Sequence, residues 1–341
     1  MERLLLTTGG TGGHIFPALA VAEALRRENP QARILFVGSD YGPEARLAAA
    51  AGLEFAGLPV RGLVGRGLRA VSAAARMAIA TGRALAIVRR FRPQVVAGFG
   101  GYAAFAPMLA GRCLGVPCVL HEQNAIPGAS NRLLARLARR VCLSLPVAEG
   151  FPREKCVLTG NPVRAAVAAV GGRPRDFSGR RLLIMGGSLG AHALNEHMPR
   201  HLARLRAAGV EIRHQTGRAD EAAVRAAYAA AGYDPSCVTA FIDDMAGAYA
   251  WADLALCRAG ATSVAELCAA GVPSILVPFP FAAHDHQTRN AEALRDAGAA
   301  LLVAQGDMES ADIVGLALEL LEDARRRAAM SEAALRHARP D

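Results

Sequence analysis

The sequence predicts an α/β fold built from two doubly wound parallel-sheet domains with a cleft between them. Residues 4–17 read as a short buried strand, a loop with four glycines in five positions and the start of a helix. Residues 182–194 repeat this order, 178 positions further along when Leu4 is matched with Leu182. Elsewhere, short apolar runs alternate with helical segments, which is the pattern of a parallel sheet.

The domain boundary is predicted from proline and glycine. Residues 159–164 and 171–175 are rich in both, and they precede the second strand, loop and helix. We therefore expect a first domain over residues 1–162 and a second over residues 163–341, with a terminal helix able to pack back on the first. A chain of 341 residues is long enough for two hydrophobic cores.

Taken in order, the elements place polar residues after strands. In the first domain we expect a helix from Ala18 to Arg27 and strands at 33–38, 94–98 and 117–120. In the second domain we expect strands within 211–215, 252–260 and 273–280, a helix from Ala261, and two surface helices after Ala311. Ligands bind beyond the carboxyl ends of parallel strands, where residues 98–102 and 121–124 should lie.

The composition describes a globular protein and removes several enzyme classes. The hydrophobic fraction is 52% and the charged fraction 20%. Lys155 is the only lysine, which argues against a P-loop, a Schiff-base lysine or a lysine general base. The seven cysteines form no CxxC pair, so we expect reduced thiols and no zinc site, and residues 285–290 resemble a metal-ligand run only by composition. Neither glycine loop fits the dinucleotide fingerprint of a dehydrogenase.

The positive charge is concentrated in the first half. Residues 1–164 carry a net charge of 21 − 9 = +12, residues 165–341 carry 18 − 21 = −3, and residues 55–121 contain no acidic side chain. Four arginines seven positions apart form one helical stripe beside apolar side chains: Arg69, Arg76, Arg83 and Arg90, with Met77 and Ile79. We interpret this stripe as a contact with anionic lipid headgroups. The alternatives are a solvated helix face and, less favoured because no aromatic residues interleave, a nucleic-acid surface.

Targeting signals are not recognised in the sequence. The N-terminus lacks the order of a signal peptide, and no window of about 18 residues is free of charge. We therefore expect the protein to stay in the cytoplasm unless it is held at a membrane surface.

Eight short sequence motifs together resemble those of a known protein family. They are residues 9–14, 100–102, 121–124, 160–164, 186–188, 241–245, 257–266 and 285–287 with Asn290. In this order, over nearly the whole chain, the sequence resembles the MurG family, the bacterial transferases that convert lipid I to lipid II in peptidoglycan synthesis. The resemblance implies a GT-B glycosyltransferase, with two Rossmann-like domains facing a central cleft. It also implies a peripheral position on the cytoplasmic face of the inner membrane, with other cell-wall synthesis proteins as partners.

The resemblance also implies roles for single residues. The donor UDP-N-acetylglucosamine (UDP-GlcNAc) would bind mainly to the second domain, with the uracil read by the Ile242 backbone and the ribose held by Glu266. The remaining donor-binding residues would be Thr11, Gly12, Gly13, Asn124, Arg164, Ser188, Ala261, Thr262, Ser263 and Gln287. Gly100, Gly101 and Tyr102 in the first domain would seat the pyrophosphate of lipid I. For Glu266 the alternative is an acidic residue that the helix dipole favours.

The implied chemistry is a single inversion at the anomeric carbon of GlcNAc, which passes to the C4 hydroxyl of N-acetylmuramic acid (MurNAc). The hydroxyl needs a base, and His14 is the best-placed candidate by residue type and loop position. Alternatively, His14 forms hydrogen bonds with loop carbonyls and fixes the turn. Glu122 is the second candidate base, or else it orients a neighbour. Helix N-termini and arginines can stabilise the diphosphate leaving group, so we expect no metal and no other cofactor.

Two other functions remain open from the sequence. A UDP-sugar 2-epimerase on the same fold would need no lipid acceptor, and the acid-free basic segment argues against it. A binding subunit without catalytic activity, recruiting a partner to the membrane, is disfavoured because both halves carry a glycine loop.

Overall fold

The chain folds as two compact α/β units, which confirms the predicted fold class. We describe it from a computed structural model that covers residues 1–10, 12–60, 68–146, 150–187, 190–282 and 285–339, with 68–74 described by backbone alone. One unit runs Met1–Ala165 and the other begins at Ala166. Residues 163–165, which we assigned to the second domain, thus belong to the first unit.

The first unit is built on a parallel sheet. The strands are β1 (Arg3–Thr7), β2 (Arg33–Ser39), β3 (Glu54–Leu58), β4 (Val95–Gly98), β5 (Cys118–Glu122), β6 (Arg140–Leu143) and β7 (Cys156–Leu158). In the described part of this unit their order is β3-β2-β1-β4-β5-β6-β7. The order reverses direction between β1 and β4, and this switch point is where doubly wound sheets bind ligands.

Helices cover both faces of this sheet. They are α1 (Gly12–Glu28), α2 (Glu44–Ala50), α3 (Leu68–Phe91), α4 (Phe105–Cys113) and α5 (Ala129–Leu137), followed by α6 (Ala165–Gly171) at the boundary. Strand β1 shows why both faces are covered, because Leu4 and Leu6 belong to one buried cluster and Leu5 to another. A strand that is apolar on both sides needs a helix layer on each.

Helix α1 begins six residues before the predicted start at Ala18. Gly12 already lies in the helix, and Pro17 lies inside it. Ile15 is fully buried in the same cluster as Leu4 and Leu6. Burial of this side chain therefore favours the early helical turn, although glycine and proline are intrinsically poor in helices.

The second unit has the same strand order as the first, with one strand fewer among the described residues. Its strands are β8 (Arg181–Met185), β9 (Glu211–Gln215), β10 (Val238–Thr239), β11 (Leu254–Cys257), β12 (Ser274–Leu276) and β13 (Ala300–Leu302). Over the described residues the order is β10-β9-β8-β11-β12-β13, with every pair parallel. The switch point here lies between β8 and β11.

The helices of the second unit are α7 (His192–His197), α8 (Leu202–Ala207), α9 (Glu221–Ala230), α10 (Met245–Trp251), α11 (Ala261–Ala270), α12 (His286–Asp296), α13 (Ile313–Glu322) and α14 (Ala324–His337). The terminal helix α14 packs inside this unit, against α11 and α13. Helix α13 is largely buried, with Ile313 and Leu320 fully inside the core, so it is not the surface helix that we expected. Across the described residues, we find no helix with the combined length and apolarity that a bilayer crossing needs.

Candidate functional site

In the first unit, glycine loops follow both strands at the switch point. Gly10, after β1, has φ of +107°, and Gly101, after β4, has φ of +76°. A Cβ atom on Gly101 would lie 2.1 Å from the carbonyl oxygen of Gly9, so only glycine allows the two loops to approach this closely. Thr11 lies outside the described residues. Gly100 and the half-buried Tyr102 flank Gly101 at the same edge of the sheet.

His14 lies in the first turn of α1 and is half-buried, with one ring nitrogen engaged. Its Nδ1 atom is 2.9 Å from Oε1 of Gln123. An amide oxygen can only accept, so Nδ1 is the donor, and in the neutral form of the ring Nε2 carries the lone pair. A histidine held in this tautomer presents Nε2 as a proton acceptor.

The amide group of Gln123 is fixed in turn by a buried network. Its Nε2 atom donates to the Phe99 carbonyl at 2.9 Å and to Nδ1 of His121 at 3.1 Å. His121 Nε2 lies 3.1 Å from the carbonyl oxygen of Gly160, to which it donates. Burial lowers the pKa of His121 to about 4, so this ring is neutral at physiological pH and keeps the network in one arrangement. The chain of bonds therefore orients Gln123, and through it the ring of His14.

Glu122 is buried and accepts several hydrogen bonds from its own loop. Oε1 accepts from the backbone and side-chain nitrogens of Asn124, at 3.0 and 3.3 Å. Oε2 accepts from Nδ2 of Asn131 at 2.8 Å and from the Gly128 amide at 3.3 Å. This carboxylate holds the loop after β5 and positions Asn124, which is the geometry expected for the orienting role, one of its two alternatives.

Arg164 lies in the first unit and packs on α1. Its guanidinium carbon is 5.2 Å from the ring centroid of Phe16, two residues after His14. The guanidinium of Arg164 therefore lies beside the end of α1 that carries the candidate base His14. From the sequence we expected this arginine in the second domain.

In the second unit, the loop after β8 also depends on glycine. Gly190 has φ of +80°, and a Cβ atom there would lie 2.1 Å from the Thr216 carbonyl oxygen. Gln215 joins this loop to the segment that carries Ile242: the Gly186 amide donates to Gln215 Oε1 at 3.2 Å, and Gln215 Nε2 donates to the Ala240 carbonyl at 3.0 Å. Ser188 lies outside the described residues.

Helix α11 begins at the carboxyl end of β11, directly after Gly260. Its partly exposed first turn contains Ala261, Thr262 and Ser263, and the N-terminal end of a helix attracts anions. Glu266 follows one turn later, is largely buried, and accepts a hydrogen bond from the Tyr249 hydroxyl at 3.1 Å. This bond fixes the position of the carboxylate about one turn from the N-terminal end of α11.

Helix α12 is tied to the same edge of the second sheet. Asn290 Nδ2 donates to the Ala259 carbonyl at 3.1 Å, in the loop before α11. Gln287, one turn earlier, accepts from the Phe279 amide at 2.9 Å, which leaves the amide NH₂ group as its donor end. The described candidate donor residues of the second unit, Ile242, Ala261, Thr262, Ser263, Glu266 and Gln287, thus all follow the carboxyl ends of its strands.

Arg258, which directly follows β11, was not predicted from the sequence as a site residue. The residue is 8% exposed, and its guanidinium donates to the carbonyls of Val277 and Pro278 and to Gln305 Oε1, at 3.1, 3.2 and 2.6 Å. Burial lowers its pKa from the usual arginine value. A buried arginine that bonds to the segments after two strands stabilises the fold. Its position directly after an apolar strand is the sequence feature that could have indicated this role.

The arginine stripe on α3 is exposed where its side chains are described. Arg76, Arg83 and Arg90 are exposed, and Ile79 on the same side is 54% exposed. Met77, in contrast, is half-buried and packs against the core of the first unit. The side chain of Arg69 lies outside the described part of the chain.

Comparisons with known proteins place both units in one family. The glycosyltransferase family 28 N-terminal domain model matches residues 4–143, and the family 28 C-terminal domain model matches residues 181–341. A curated protein of Nitratidesulfovibrio vulgaris (strain Miyazaki F) is 57% identical over all of this chain and 94% of its own length. Its name is UDP-N-acetylglucosamine–N-acetylmuramyl-(pentapeptide) pyrophosphoryl-undecaprenol N-acetylglucosamine transferase.

Solved structures agree with this placement. The crystal structure of Acinetobacter baumannii MurG is similar with a TM-score of 0.75 and 36% identity, over 100% of this chain and 96% of that one. A UDP-N-acetylglucosamine 2-epimerase has a TM-score of 0.63 at 16% identity, over 97% of this chain and 90% of that one, a likeness of fold alone.

Proposed function

The chain belongs to the MurG family within glycosyltransferase family 28, and from this premise we propose that it transfers GlcNAc from UDP-GlcNAc to lipid I. The acceptor atom is the C4 hydroxyl oxygen of MurNAc in undecaprenyl-pyrophosphoryl-MurNAc-pentapeptide, and the product is lipid II. The observation that carries this proposal is the 57% identity over the whole chain to a transferase of that name.

His14 acts as the general base in this proposal. The acceptor O4 attacks the anomeric carbon of GlcNAc, the bond from that carbon to the diphosphate oxygen breaks, and UDP leaves with the electron pair. The proton of the C4 hydroxyl passes to Nε2 of His14, the nitrogen that the Gln123 bond leaves as acceptor. One displacement inverts the configuration, so an α-linked donor gives a β-1,4 linkage.

The donor is held by the second unit. The first turn of α11, at Ala261, Thr262 and Ser263, receives the diphosphate charge, and Glu266 accepts from the ribose hydroxyls. The Ile242 backbone reads the uracil, and the NH₂ group of Gln287 meets a sugar hydroxyl. Ser188 completes this set.

In the first unit, Asn124 meets the sugar, while Thr11, Gly12, Gly13 and Arg164 meet the donor diphosphate. The fixed positive charge of arginine and the helix dipole stabilise the leaving group, so the reaction needs no metal ion.

The lipid acceptor is held by the first unit and by the membrane surface. Gly100, Gly101 and Tyr102 seat the pyrophosphate of lipid I. The α3 stripe of Arg69, Arg76, Arg83 and Arg90, with Ile79 inserting between headgroups, rests on anionic lipid at the cytoplasmic face. Because Met77 packs on the core, its part in this contact is small. Other cell-wall synthesis proteins are further proposed partners.

A donor-turnover assay tests the proposal against the epimerase alternative. We expect UDP release from UDP-GlcNAc only when a short-chain lipid I analogue is present, at a rate that EDTA does not change. Formation of the 2-epimer or of free sugar without the acceptor would contradict the transferase. Loss of activity in EDTA, with the chain still folded by circular dichroism, would contradict the metal-free mechanism alone.

A further inference from the structure

Two histidines and one glutamate in the second unit converge outside the proposed donor site. His197 ends α7, His201 ends the 3-10 turn that follows, and Glu309 lies beyond β13. Glu309 Oε2 is 3.5 Å from His197 Nδ1 and 3.7 Å from His201 Nε2, and the three ligand atoms all lie within 4.8 Å of one another.

Two of these separations are close to those of a metal centre. Zinc binds histidine nitrogen and carboxylate oxygen at about 2.0–2.2 Å, so two ligands of a tetrahedral ion lie about 3.3 Å apart. The two histidine-to-carboxylate distances, 3.5 and 3.7 Å, are only slightly longer than this. Imidazole with carboxylate selects zinc and its transition-metal neighbours, whereas magnesium and calcium prefer oxygen ligands alone.

The packing around the cluster holds its ligands in place. Met198 follows His197, Met308 precedes Glu309, and both methionines are buried in the core cluster of the second unit. The two imidazole rings are tilted at 42° with their centroids 4.7 Å apart. The segments that carry the ligands are therefore fixed by the core on both sides.

One ligand atom is buried without an ordinary partner. Nε2 of His201 is inaccessible to solvent and makes no hydrogen bond within the described residues, although a carboxylate oxygen lies 3.7 Å away. A buried polar atom without a partner is costly, and a shared cation would satisfy it. The Glu309 side chain is 73% exposed, so an ion can enter from solvent and keep a water ligand.

The charges near the cluster are those of Arg200, which is positive, and of the pair Arg204 and Asp312. Arg204 donates to Asp312 at 2.6 Å, so this nearby pair is neutral as a unit. We propose that His197, His201 and Glu309 bind one divalent transition-metal ion of the zinc class, which joins the segment after α7 to the segment after β13. The site is separate from the transfer reaction and stabilises the second unit.

Zinc titration of the metal-stripped full-length chain, followed by calorimetry, tests this proposal. We expect one Zn²⁺ per chain, no displacement by Mg²⁺, and visible absorption bands of a low-coordinate site with Co²⁺. The exposed Glu309→Gln and the half-buried His201→Gln should each weaken Zn²⁺ binding more than about tenfold, because even outer partners of metal sites contribute 10–100-fold.

A matched control comes from His192, which pairs with Asp220 and Glu196 on the same part of the unit. His192→Gln should leave Zn²⁺ binding unchanged. Binding that survives Glu309→Gln and His201→Gln, or that is lost in His192→Gln, would overturn the proposal, as would the absence of stoichiometric binding in the wild-type chain. Circular dichroism of each variant establishes that it is folded.

Discussion

At the scale of single residues, His14 and Gln123 show how a neutral partner can select one ring tautomer. A carboxylate at this place would orient the ring and also stabilise its charged form. The amide oxygen of Gln123 orients the ring through the 2.9 Å bond without adding a negative charge. The Nε2 lone pair is thereby available for an acceptor hydroxyl.

We expect His14→Ala to lower kcat by about 10²–10⁴-fold, the usual contribution of a general base. Binding of UDP-GlcNAc, measured by calorimetry, should persist because the proposed donor residues lie mainly in the second unit. His337→Gln, on α14, serves as the control and should keep full activity. Full activity of His14→Ala would refute the assignment of the base but not the family.

Two buried histidines make stability depend on pH. Burial lowers the pKa of His121 to about 4 and of His214 to about 3, from an ordinary value of 6.5. The unfolded chain therefore binds more protons than the folded chain between these values and pH 6.5. Stability is complete above pH 6.5 and falls with decreasing pH, by about 1.4 kcal/mol per pH unit for each ring.

Urea unfolding at about pH 7 and about pH 5 measures this effect, which should amount to about 2 kcal/mol for each ring. His214 bonds Tyr228 and Asn195 in the second unit, at 2.9 and 3.1 Å. His214→Gln should be less stable at neutral pH but lose less stability on acidification. An unfolding free energy of the wild type that is equal at both pH values would contradict the buried, neutral state of these rings.

At the scale of elements, the two loops after β1 and β8 were predicted from glycine spacing, but the helix that follows β1 begins six residues before its predicted start at Ala18. The Gly-Gly pair and Pro17 favour a loop by propensity, whereas burial of Ile15 against β1 favours helix from Gly12. Tertiary packing outweighs local propensity here. The difference matters for the site, because it places His14 on a helix and not on a loop.

The prediction that the protein binds anionic membranes depends on helix α3. Replacing Arg76, Arg83 and Arg90 with glutamine should weaken binding to anionic vesicles on the order of a hundredfold, since each basic residue at the surface contributes about 1 kcal/mol. Vesicle sedimentation at low salt measures this binding. A triple variant of exposed arginines in the second unit, Arg225, Arg295 and Arg336, changes the charge equally and should bind as the wild type does. Equal loss in both variants would show that only net charge matters.

At the scale of the whole molecule, the sequence was sufficient for the fold class but not for the division of roles inside the site. The repeated strand, glycine loop and helix predicted two parallel sheets, because that local pattern has few stable arrangements. Whether Glu122 acts as a base or orients its own loop depends on its hydrogen bonds to Asn124 and Asn131. The spacing of residues in the sequence does not reveal these bonds.

The cluster of His197, His201 and Glu309 shows the same limit. The two histidines have helical i, i+4 spacing, which is a recognisable signal, but the third ligand lies more than 100 residues away. Only the packing of Met198 and Met308 into one core brings it to them. Long-range contacts of this kind are fixed by the fold and are not visible in local sequence.

The linkage formed in the product tests the central claim most directly. Incubation of the full-length chain with ¹³C-labelled UDP-GlcNAc and a lipid I analogue, followed by NMR of the isolated disaccharide, identifies both the acceptor atom and the anomeric configuration. Our account predicts a β-linked GlcNAc on C4 of MurNAc. An α linkage would contradict the single inversion assisted by His14, and labelled sugar on any other acceptor position would contradict lipid II formation.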